Sequence, residues 1–471
     1  MSAYGRVRLE GGGKTVAMLA RNRMITTRLA IPTTVLTFDS SPSYAAVRDG
    51  LLERGDLAPG MQLLNTYEWY RDTARPETGE DVEAGERGGG GRLVDLAHLE
   101  PVDTPHPDGS VHRTEYLDEA GTVVARDYRR HDGSVYVRIA QDAPRAQLVD
   151  PDGVVVRSFP GVPAWRRHWL RTLVRQQHTS GHTSGQTVVV TDTDTVLREL
   201  WQVEADVRFV HVLHEVHVQM TGEPPASAPI RPSLQPVLDQ LERLDRLVVL
   251  SEVQRDDVVV RLPPVLRDRV VVLPLDTETA PPLDAKGVPA TVAPRARAGF
   301  VMLGRLTPVK AVHEAVEVFA LVVAHRPEAR LDVYGEGPLR PELEQLITQR
   351  GLANHVRLRG FDETARDRLH EATAYVLTSS KETFGLAALE ALGRGCPVVA
   401  YDVPYAPARI HDGVDGFRVP PGDRQAMAER IITMIDDPDL VQRMSEASHA
   451  AARRYEPARV AEEWRTLLAG L

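Results

Sequence analysis

Two glutamates that could bind a ligand stand close together in the stretch "SSKETFGLAALEALGRGCPVVAYD". Glu382 precedes the dipeptide "FG", and Glu390 lies eight residues further on, in a segment that is otherwise apolar. Carboxylates accept hydrogen bonds from hydroxyl groups, which sugars and ribose supply. From the residues alone, Glu382 could equally be a surface capping residue and Glu390 a charge on a half-exposed helix.

The same stretch predicts a phosphate site beside these carboxylates. "AYVLTS" is typical of a strand, and "LAALEALGRG" is typical of the helix that follows it. The backbone N–H groups of Phe384, Gly385 and Leu386 would then lie at the helix N-terminus, which attracts anions. Gly385 allows a ligand to approach the backbone closely. A ligand with both phosphate and sugar, such as a nucleotide sugar, would satisfy both features.

A second group of candidate residues is basic. In "FVMLGRLTPVKAVHEAVEVF" a predicted strand ends at Gly304, and Arg305 follows directly. Pro308 is favoured in the first turn of a helix, which would place Lys310 in that turn. A cation there opposes the helix dipole unless an anion is shared. Arg305 and Lys310 therefore match the two charges of a diphosphate, with a structural arginine and a solvated lysine as the alternative.

Three histidines occur at intervals of three in "VRFVHVLHEVHVQM", namely His211, His214 and His217. Because residues up to Leu213 are predicted to form a strand, residues three apart point to opposite faces and do not converge on a metal ion. We therefore predict no metal site. His214 is expected at the carboxyl end of the strand, where doubly wound folds bind ligands. A structural histidine is the alternative.

Two glycine-rich stretches resemble nucleotide-binding loops only superficially. In a phosphate-binding Walker loop, a glycine stands five residues before the glycine of a Gly-Lys pair. With Gly13 and Lys14 of "GGGKTVAMLARNRMI" as that pair, position 8 would have to be glycine, but it is Arg8, so the stretch is not a Walker loop. Gly12 and Gly13, with Lys14, remain candidates for close approach to donor phosphates or acceptor, and a flexible chain start is the alternative. "YGEGP" lacks the third glycine of the dinucleotide fingerprint, which disfavours a nicotinamide dehydrogenase.

Composition excludes several classes of function. The chain has 56 basic and 66 acidic residues and a net charge of −10, which disfavours nucleic acid as a partner. The single cysteine, Cys396, excludes an intrachain disulfide. The N-terminus lacks the apolar core of a signal peptide, and no apolar run approaches the ~20 residues of a membrane span. We expect a cytoplasmic protein.

Alternating strand and helix patterns predict an α/β protein with two doubly wound domains. Period-two runs joined by Ala-Gly, Asp-Gly and Pro-Asp-Gly turns predict an antiparallel β-insert at residues 71–160. "SAYGRVRLE" is a poor first strand of the N-terminal domain. The expected organisation is an N-terminal domain of residues 1–70 and 161–280, a C-terminal domain of residues 281–455, and a helix of residues 456–471 that returns to the N-terminal domain.

"GRLTPVK", "YGEGPLRPELE", "VRLRGF" and "SSKETFGLAALEALGRGCPVVAYDV", in this order, resemble the C-terminal half of glycosyltransferase family 4. The resemblance implies a retaining, metal-independent enzyme of the GT-B fold, in which two Rossmann-like domains face a cleft. It also implies that Glu382 contacts the transferred sugar, Glu390 the ribose, and Arg305 and Lys310 the diphosphate. His214 would be the active-site histidine near the donor sugar.

The N-terminal half resembles one bacterial branch of this family, which attaches α-linked glucose or N-acetylglucosamine to teichoic acids or serine-rich adhesins. "GGGKTVAMLARNRM", "LHEVH", "VVLSEVQRDDV" and the β-insert carry this likeness. It implies transfer from UDP-glucose or UDP-N-acetylglucosamine to a polymer or protein, without a cofactor. Thr383 departs from the family, since many members have glycine at this position.

The β-insert is the candidate surface for the acceptor, for self-association or for a partner subunit, and peripheral membrane association is compatible with such acceptors. Residues 71–160 carry 11 Arg or Lys and 18 Asp or Glu, although the strip "RDYRR" could still bind a polyanion. One alternative function is a catalytically inactive subunit that binds the acceptor. This alternative is disfavoured because the four predicted donor-site residues are all present, namely Arg305, Lys310, Glu382 and Glu390. The other is a sugar-nucleotide epimerase on the same fold, which the insert disfavours.

Overall fold

The computed structural model describes residues 1–9, 13–42, 44–73, 87–88, 91–141, 145–179, 186–219, 223–277, 298–405 and 409–471. The chain divides into two compact units. The first unit comprises Met1–Leu213, Pro232–Val248 and Leu468–Leu471, and the second comprises His214–Arg231 and Val249–Leu467. No helix in the described ranges is long and apolar enough to cross a membrane.

The first unit contains thirteen strands and six helices within the described ranges. The strands are β1 Ser2–Tyr4, β2 Thr33–Thr37, β3 Met61–Asn65, β4 Arg87–Gly88, β5 Glu100–Pro105, β6 Val111–Leu117, β7 Val123–Arg129, β8 Val135–Ala140, β9 Arg145–Val149, β10 Val155–Phe159, β11 Thr187–Thr191, β12 Val207–Val212 and β13 Arg246–Val249. The helices are α1 Gly13–Leu29, α2 Tyr44–Glu53, α3 Thr66–Asp72, α4 Val162–Thr179, α5 Asp194–Leu200 and α6 Gln235–Leu238.

Six strands of the first unit pair in parallel within one sheet, in the order β13-β12-β11-β1-β2-β3. Ser2 pairs with Val35 on one side and with Val190 on the other, so β1 lies between two strands. All three residues of β1 are buried. The expectation that "SAYGRVRLE" is a poor first strand is therefore wrong. A strand of three residues suffices here because both neighbours pair with it and its serine hydroxyl donates to Asn22 Oδ1 at 3.0 Å.

The predicted β-insert is confirmed as an antiparallel sheet in the order β4-β10-β9-β8-β7-β6-β5. Its tight turns contain the glycines that the sequence singles out. At the Asp-Gly turn between β7 and β8, Gly133 N–H donates to the Arg130 carbonyl at 2.9 Å. Gly133 has a φ of +85°, a conformation that glycine adopts at little cost. Turn chemistry therefore fixes the register of these hairpins.

The antiparallel sheet shares a core with helices of the first unit. The ring of Tyr67 in α3 lies 4.6 Å from that of Tyr128 in β7 and 5.1 Å from that of Trp165 in α4. Tyr136 in β8 is fully buried. Aromatic side chains bury large apolar areas, so this sheet gains much of its stability from α3 and α4.

The basic strip "RDYRR" spans residues 126–130 at the end of β7, and its three arginines have different partners. Arg126 donates to Glu115 Oε1 at 2.7 Å, which neutralises its charge. Tyr128 is buried, and buried Arg130 donates to the Val149 carbonyl at 3.0 Å. Half-buried Arg129 donates to neutral groups, among them the Gly133 carbonyl at 2.9 Å, so its charge is not neutralised within the described residues. Binding of a polyanion to this strip stays a prediction.

The second unit contains seven strands and seven helices within the described ranges. The strands are β14 Val270–Val272, β15 Gly299–Leu303, β16 Arg330–Tyr334, β17 Val356–Gly360, β18 Ala374–Leu377, β19 Val398–Tyr401 and β20 Gly416–Val419. The helices are α7 Glu252–Val259, α8 Val312–His325, α9 Arg340–Gln349, α10 Leu386–Gly393, α11 Arg424–Asp436, α12 Pro438–Ala452 and α13 Pro457–Ala469.

The second unit is doubly wound, as the alternating pattern predicts. Its sheet runs β17-β16-β15-β18-β19-β20, and every neighbouring pair is parallel. Phe300 of β15 packs edge-on against Phe319 of α8, with ring centroids 5.6 Å apart. Strand β20 was not predicted, because "GFRV" is too short for a recognisable pattern.

Candidate functional site

The candidate residues of the second unit lie where β15 and β18 end. These strands are neighbours, and Phe300 pairs with Ala374. Strands β16 and β17, which come next after β15 in sequence, lie on one side of β15. Strands β18, β19 and β20 lie on its other side. The carboxyl ends of β15 and β18 therefore form a topological switch point, the position at which open α/β sheets bind ligands.

A glycine turn supports the loop that carries Arg305. Leu306 N–H donates to the Glu336 carbonyl at 3.0 Å. A Cβ on Gly337 would lie 2.4 Å from the Leu306 carbonyl oxygen, which no side chain could tolerate without a backbone shift. The "YGEGP" turn thus has a clear structural role, because its glycines allow two loops to pack closely.

Arg305 itself is exposed at the end of β15. No hydrogen bond or ion pair joins its side chain to another residue in the described part of the chain. Its guanidinium can therefore bind a ligand without breaking a contact to those residues.

Lys310 and Glu382 contact each other directly. Lys310 Nζ lies 2.5 Å from Glu382 Oε1, and Ser379 Oγ donates to the same oxygen at 2.8 Å. The Glu382 side chain is 11% exposed and that of Lys310 is 26% exposed. Two residues that the resemblance assigns to different parts of one ligand are thus within hydrogen-bond distance of each other.

The prediction that Lys310 lies in the first turn of a helix is wrong. Pro308–Lys310 form a short 3₁₀ turn, and α8 begins only at Val312. Ala311 separates the two with a left-handed φ of 45°. This break in the helix leaves Lys310 in the loop that faces the end of β18, where it meets Glu382.

Helix α10 begins at Leu386, as the sequence predicts, and its N-terminus is uncapped by side chains. The N-cap residue Gly385 has a φ of 69° and a ψ of 56°, and the first turn contains no acidic residue. The first N–H groups of a helix have no acceptor within the helix. This end of α10 therefore keeps its attraction for an anion, while the phosphate role of Phe384, Gly385 and Leu386 stays a prediction.

Glu390 lies on α10 and is paired with Arg366, whose Nε donates to Glu390 Oε1 at 2.9 Å. Tyr375 is buried on β18, and its hydroxyl donates to the Leu303 carbonyl at 3.1 Å. Burial raises the pKa of Tyr375, and the charges of Glu382 and Glu390 raise it further. Sequence reasoning did not single out this residue, because its strand is otherwise apolar.

Sequence reasoning also missed Arg409. Its side chain is buried, and its guanidinium carbon lies 3.6 Å from the centroid of the Phe384 ring. The only sequence signal was an arginine in the apolar and proline-containing segment "YAPARI".

The three histidines have separate environments. His211 Nε2 lies 3.2 Å from Asp194 Oδ1, and buried His217 Nδ1 lies 3.3 Å from the Tyr405 hydroxyl. Burial is the main cause that lowers the pKa of His217 to about 4. His214 is half-buried and lies just beyond the end of β12, where the pattern places it. Among the described residues, no group of three or more His, Cys, Asp or Glu side chains could hold a metal ion.

The glycines near the N-terminus belong to the first unit, whereas Arg305, Lys310 and Glu382 belong to the second. Gly13 is exposed and begins α1 of the first unit. Gly12 lies outside the described residues. Their contact with donor phosphates or acceptor stays a prediction.

Comparison with known proteins supports the resemblance seen in the sequence. Residues 290–450 match the family model "Glycosyl transferases group 1". Over 165 residues the chain is 33% identical to the poly(glycerol-phosphate) alpha-glucosyltransferase of Bacillus subtilis (strain 168), a match that covers 35% of this chain and 24% of that protein. The chain spans less than half of the length of the curated relatives that it matches.

Two solved structures resemble the whole chain. A mutant of S. aureus TarM, in complex with fondaparinux, alpha-GlcNAc-glycerol and UDP, has a TM-score of 0.80 at 17% identity over 99% of this chain and 98% of that one. The pneumococcal O-GlcNAc transferase GtfA, in complex with UDP and GlcNAc, has a TM-score of 0.73 at 15% identity over 100% and 98%. At these identities the likeness establishes the fold. The chain therefore has the GT-B fold, and its residues 290–450 match the family model of the group 1 glycosyl transferases.

Proposed function

We propose that the protein is a retaining, metal-independent glycosyltransferase of family 4 that moves a hexose or N-acetylhexosamine from a UDP-sugar to a polymer or protein acceptor. The observation that carries this proposal is the Lys310–Glu382 pair, which lies at the switch point of the second unit. A UDP-sugar needs a cation for its diphosphate and an acceptor of hydrogen bonds for its sugar hydroxyls. The relative from Bacillus subtilis and the UDP complexes of TarM and GtfA support the same reading.

The ion pair suggests how donor binding prepares the site. Lys310 and Glu382 neutralise each other in this structure. A diphosphate at the N-terminus of α10 would compete for the Lys310 ammonium group, because an anion there gains from both charges. The Glu382 carboxylate would then accept hydrogen bonds from the sugar. We extend the proposal to Glu390 for the ribose and to His214 near the donor sugar.

The proposed reaction is a substitution on one face of the anomeric carbon. The bond between this carbon and the diphosphate oxygen breaks, and the acceptor hydroxyl oxygen bonds to the same face. The acceptor proton leaves with the diphosphate, so the products are UDP and the glycosylated acceptor. Arg305, Lys310 and the α10 N-terminus stabilise the departing negative charge, and such electrostatic stabilisation is commonly the largest catalytic contribution.

The test is release of UDP from UDP-glucose and from UDP-N-acetylglucosamine, with poly(glycerol phosphate) or a serine-rich protein as acceptor. We expect release that depends on the acceptor and an α-linkage in the product, measured by NMR. Activity should persist in excess chelator, because Arg305, Lys310 and the α10 N-terminus supply the charge that a divalent ion would bring. Absence of UDP release with every donor and acceptor would overturn the proposal, and an absolute metal requirement would overturn its metal-independent form.

A further inference from the structure

Arg409 is a buried cation without a polar partner in the described part of the chain. Its side chain belongs to a residue that is 5% exposed, and Nε and Nη1 are both buried without a hydrogen-bond acceptor. Its contacts are aromatic instead. The guanidinium carbon lies 3.6 Å from the ring centroid of Phe384 and 5.4 Å from that of Tyr455.

Phe384 connects this cation to the start of α10. Phe384 directly precedes Gly385, the N-cap residue of that helix. Its ring meets the ring of Tyr455 edge-on, with centroids 6.1 Å apart and an interplanar angle of 88°. The charge of Arg409 therefore lies against the side chain that directly precedes the N-terminus of α10.

The positive charge of Arg409 is only partly compensated by its surroundings. Burial is the main cause that lowers the pKa of Arg409 to about 10. Tyr455 and Glu382 oppose this change, while the nearby charge of Arg454 acts in the same direction as burial. The Glu382 carboxylate is already paired with Lys310. Removing a guanidinium from water is costly unless an anion or hydrogen bonds compensate, and stacking on aromatic rings compensates only in part.

We propose that Arg409 supplies a further positive charge to the diphosphate site, which it shares with Lys310 and the N-terminus of α10. This inference rests on the proposed function, because it assigns one more group to the same donor. A buried charge is poorly screened by water or salt, so Arg409 can stabilise an anion at the α10 N-terminus even though its Nε and Nη1 atoms are enclosed. Binding of the nucleotide would in turn offset the cost of burying Arg409.

A purely structural role makes a different prediction. If Arg409 served only to pack against Phe384, its loss would lower thermal stability. It would also lower the affinity of the site for every ligand to the same extent. If its charge matters, a neutral side chain of similar length should preserve the fold. The affinity for ligands that carry phosphate should then fall, while the affinity for ligands without phosphate should not change. Methionine is such a side chain, because it retains the apolar contact with the ring.

The experiment compares the full-length wild type, Arg409→Met and Arg409→Lys. Calorimetry gives the UDP affinity in 0.05 M and 0.5 M NaCl, competition against UDP gives the affinity for uridine, and a thermal scan gives the Tm without ligand. We expect Arg409→Met to bind UDP about tenfold more weakly at both salt concentrations, with uridine affinity unchanged and the Tm unchanged or raised. Arg409→Lys should restore most of the UDP affinity, because it keeps the charge.

Arg430→Met is the matched control. Arg430 stacks on Phe417 with its guanidinium carbon 4.9 Å from the ring centroid, but it is exposed and lies on α11. We expect its replacement to change neither UDP affinity nor its salt dependence.

Three results would overturn the inference. These are wild-type UDP affinity in Arg409→Met, a parallel loss of UDP and uridine binding with a lowered Tm, and failure of Arg409→Lys to restore UDP binding. In the first of these cases the proposed function still stands, because the wild type binds UDP. If the wild-type protein binds no UDP at all, the proposed function fails, and this inference fails with it.

Discussion

At the scale of single residues, the proposed donor site depends on the Lys310–Glu382 pair. Ser379 and Lys310 both donate to Oε1 of Glu382, so this carboxylate is held in one orientation by two hydrogen bonds. Such pre-organisation is useful to a site that must stabilise one geometry of its substrate. It also means that the lysine charge is shared between Glu382 and any anion that arrives.

Replacing Glu382 by glutamine should separate binding from transfer. The neutral amide no longer holds the Lys310 ammonium group, so we expect UDP to bind more tightly than in the wild type. Sugar transfer should fall by about 100-fold, because the charged acceptor of hydrogen bonds for the sugar is lost. Calorimetry with UDP and a UDP-release assay measure the two effects.

Glu363→Gln is the control for this change, because Glu363 is an exposed glutamate of the same unit. It should leave both measurements unchanged. Near-wild-type transfer by Glu382→Gln would remove Glu382 from the site.

At the scale of structural elements, the close packing of two loops holds Arg305 in place. Gly337→Ala introduces a Cβ that would lie 2.4 Å from the Leu306 carbonyl oxygen. We expect a loss of about 1–3 kcal/mol in the free energy of unfolding, as for other overpacked sites. UDP affinity should fall as well, because the Arg305 loop must shift.

Gly91→Ala is the matched control for Gly337→Ala. A Cβ at Gly91 would meet nothing within 4 Å, so both stability and UDP affinity should be retained. Denaturant unfolding and calorimetry measure these properties. A stable Gly337→Ala variant with normal UDP affinity would show that the turn does not position Arg305.

The contact between the β-insert and the loop before α2 should depend on pH. His112 Nε2 donates to the Ser40 carbonyl at 3.0 Å, while buried Nδ1 has no partner in the described ranges. Burial is the main cause that lowers the pKa of His112 from 6.5 to about 4, and neighbouring His106 lowers it further. Below pH 6.5 the unfolded chain takes up a proton that the folded chain refuses. Stability should therefore be complete above pH 6.5 and decrease as the pH falls to about 4.

His112→Gln tests this dependence, because a glutamine amide can still donate to the Ser40 carbonyl but does not titrate. We expect a smaller loss of unfolding free energy between pH 7.5 and pH 4.5 than in the wild type, measured by urea unfolding. Exposed His98 offers the control, since His98→Gln should leave the pH dependence unchanged. An unchanged pH dependence in His112→Gln would contradict the argument.

At the scale of the whole molecule, the β-insert cannot be removed without loss of the core that it shares with α3 and α4. Its role is better tested on the edge strand β5, which is the last strand of the sheet and largely exposed. Val102 on this strand is 42% exposed. Edge strands and exposed apolar side chains are common sites for contact with another chain.

Val102→Lys should leave UDP binding intact and lower transfer to the polymer or protein acceptor, or lower self-association. We expect a reduction of roughly severalfold, because one charge on an edge strand opposes pairing with another strand. UDP-release assays and size-exclusion chromatography distinguish the two outcomes. Val265→Lys, at an exposed position of the second unit, is the control. Unchanged transfer and unchanged self-association would leave the insert with a structural role alone.

The sequence by itself determines the local structure around the candidate site. Strand β18, the turn at Gly385 and helix α10 follow from apolar periodicity and turn chemistry, which act over a few residues. The hairpins of the β-insert follow from their Asp-Gly and Ala-Gly turns in the same way.

Only the tertiary structure decides which distant residues meet. Lys310 and Glu382 are 72 residues apart, and their pairing depends on β15 and β18 being neighbours in the sheet. Arg409 reaches Phe384 through packing that no periodicity reveals, and Arg126 of the "RDYRR" strip is paired with Glu115 on the adjacent strand. Local patterns specify helices, strands and turns, whereas contacts across the sheet depend on strand order and side-chain packing. These contacts are what place the charges of this site together.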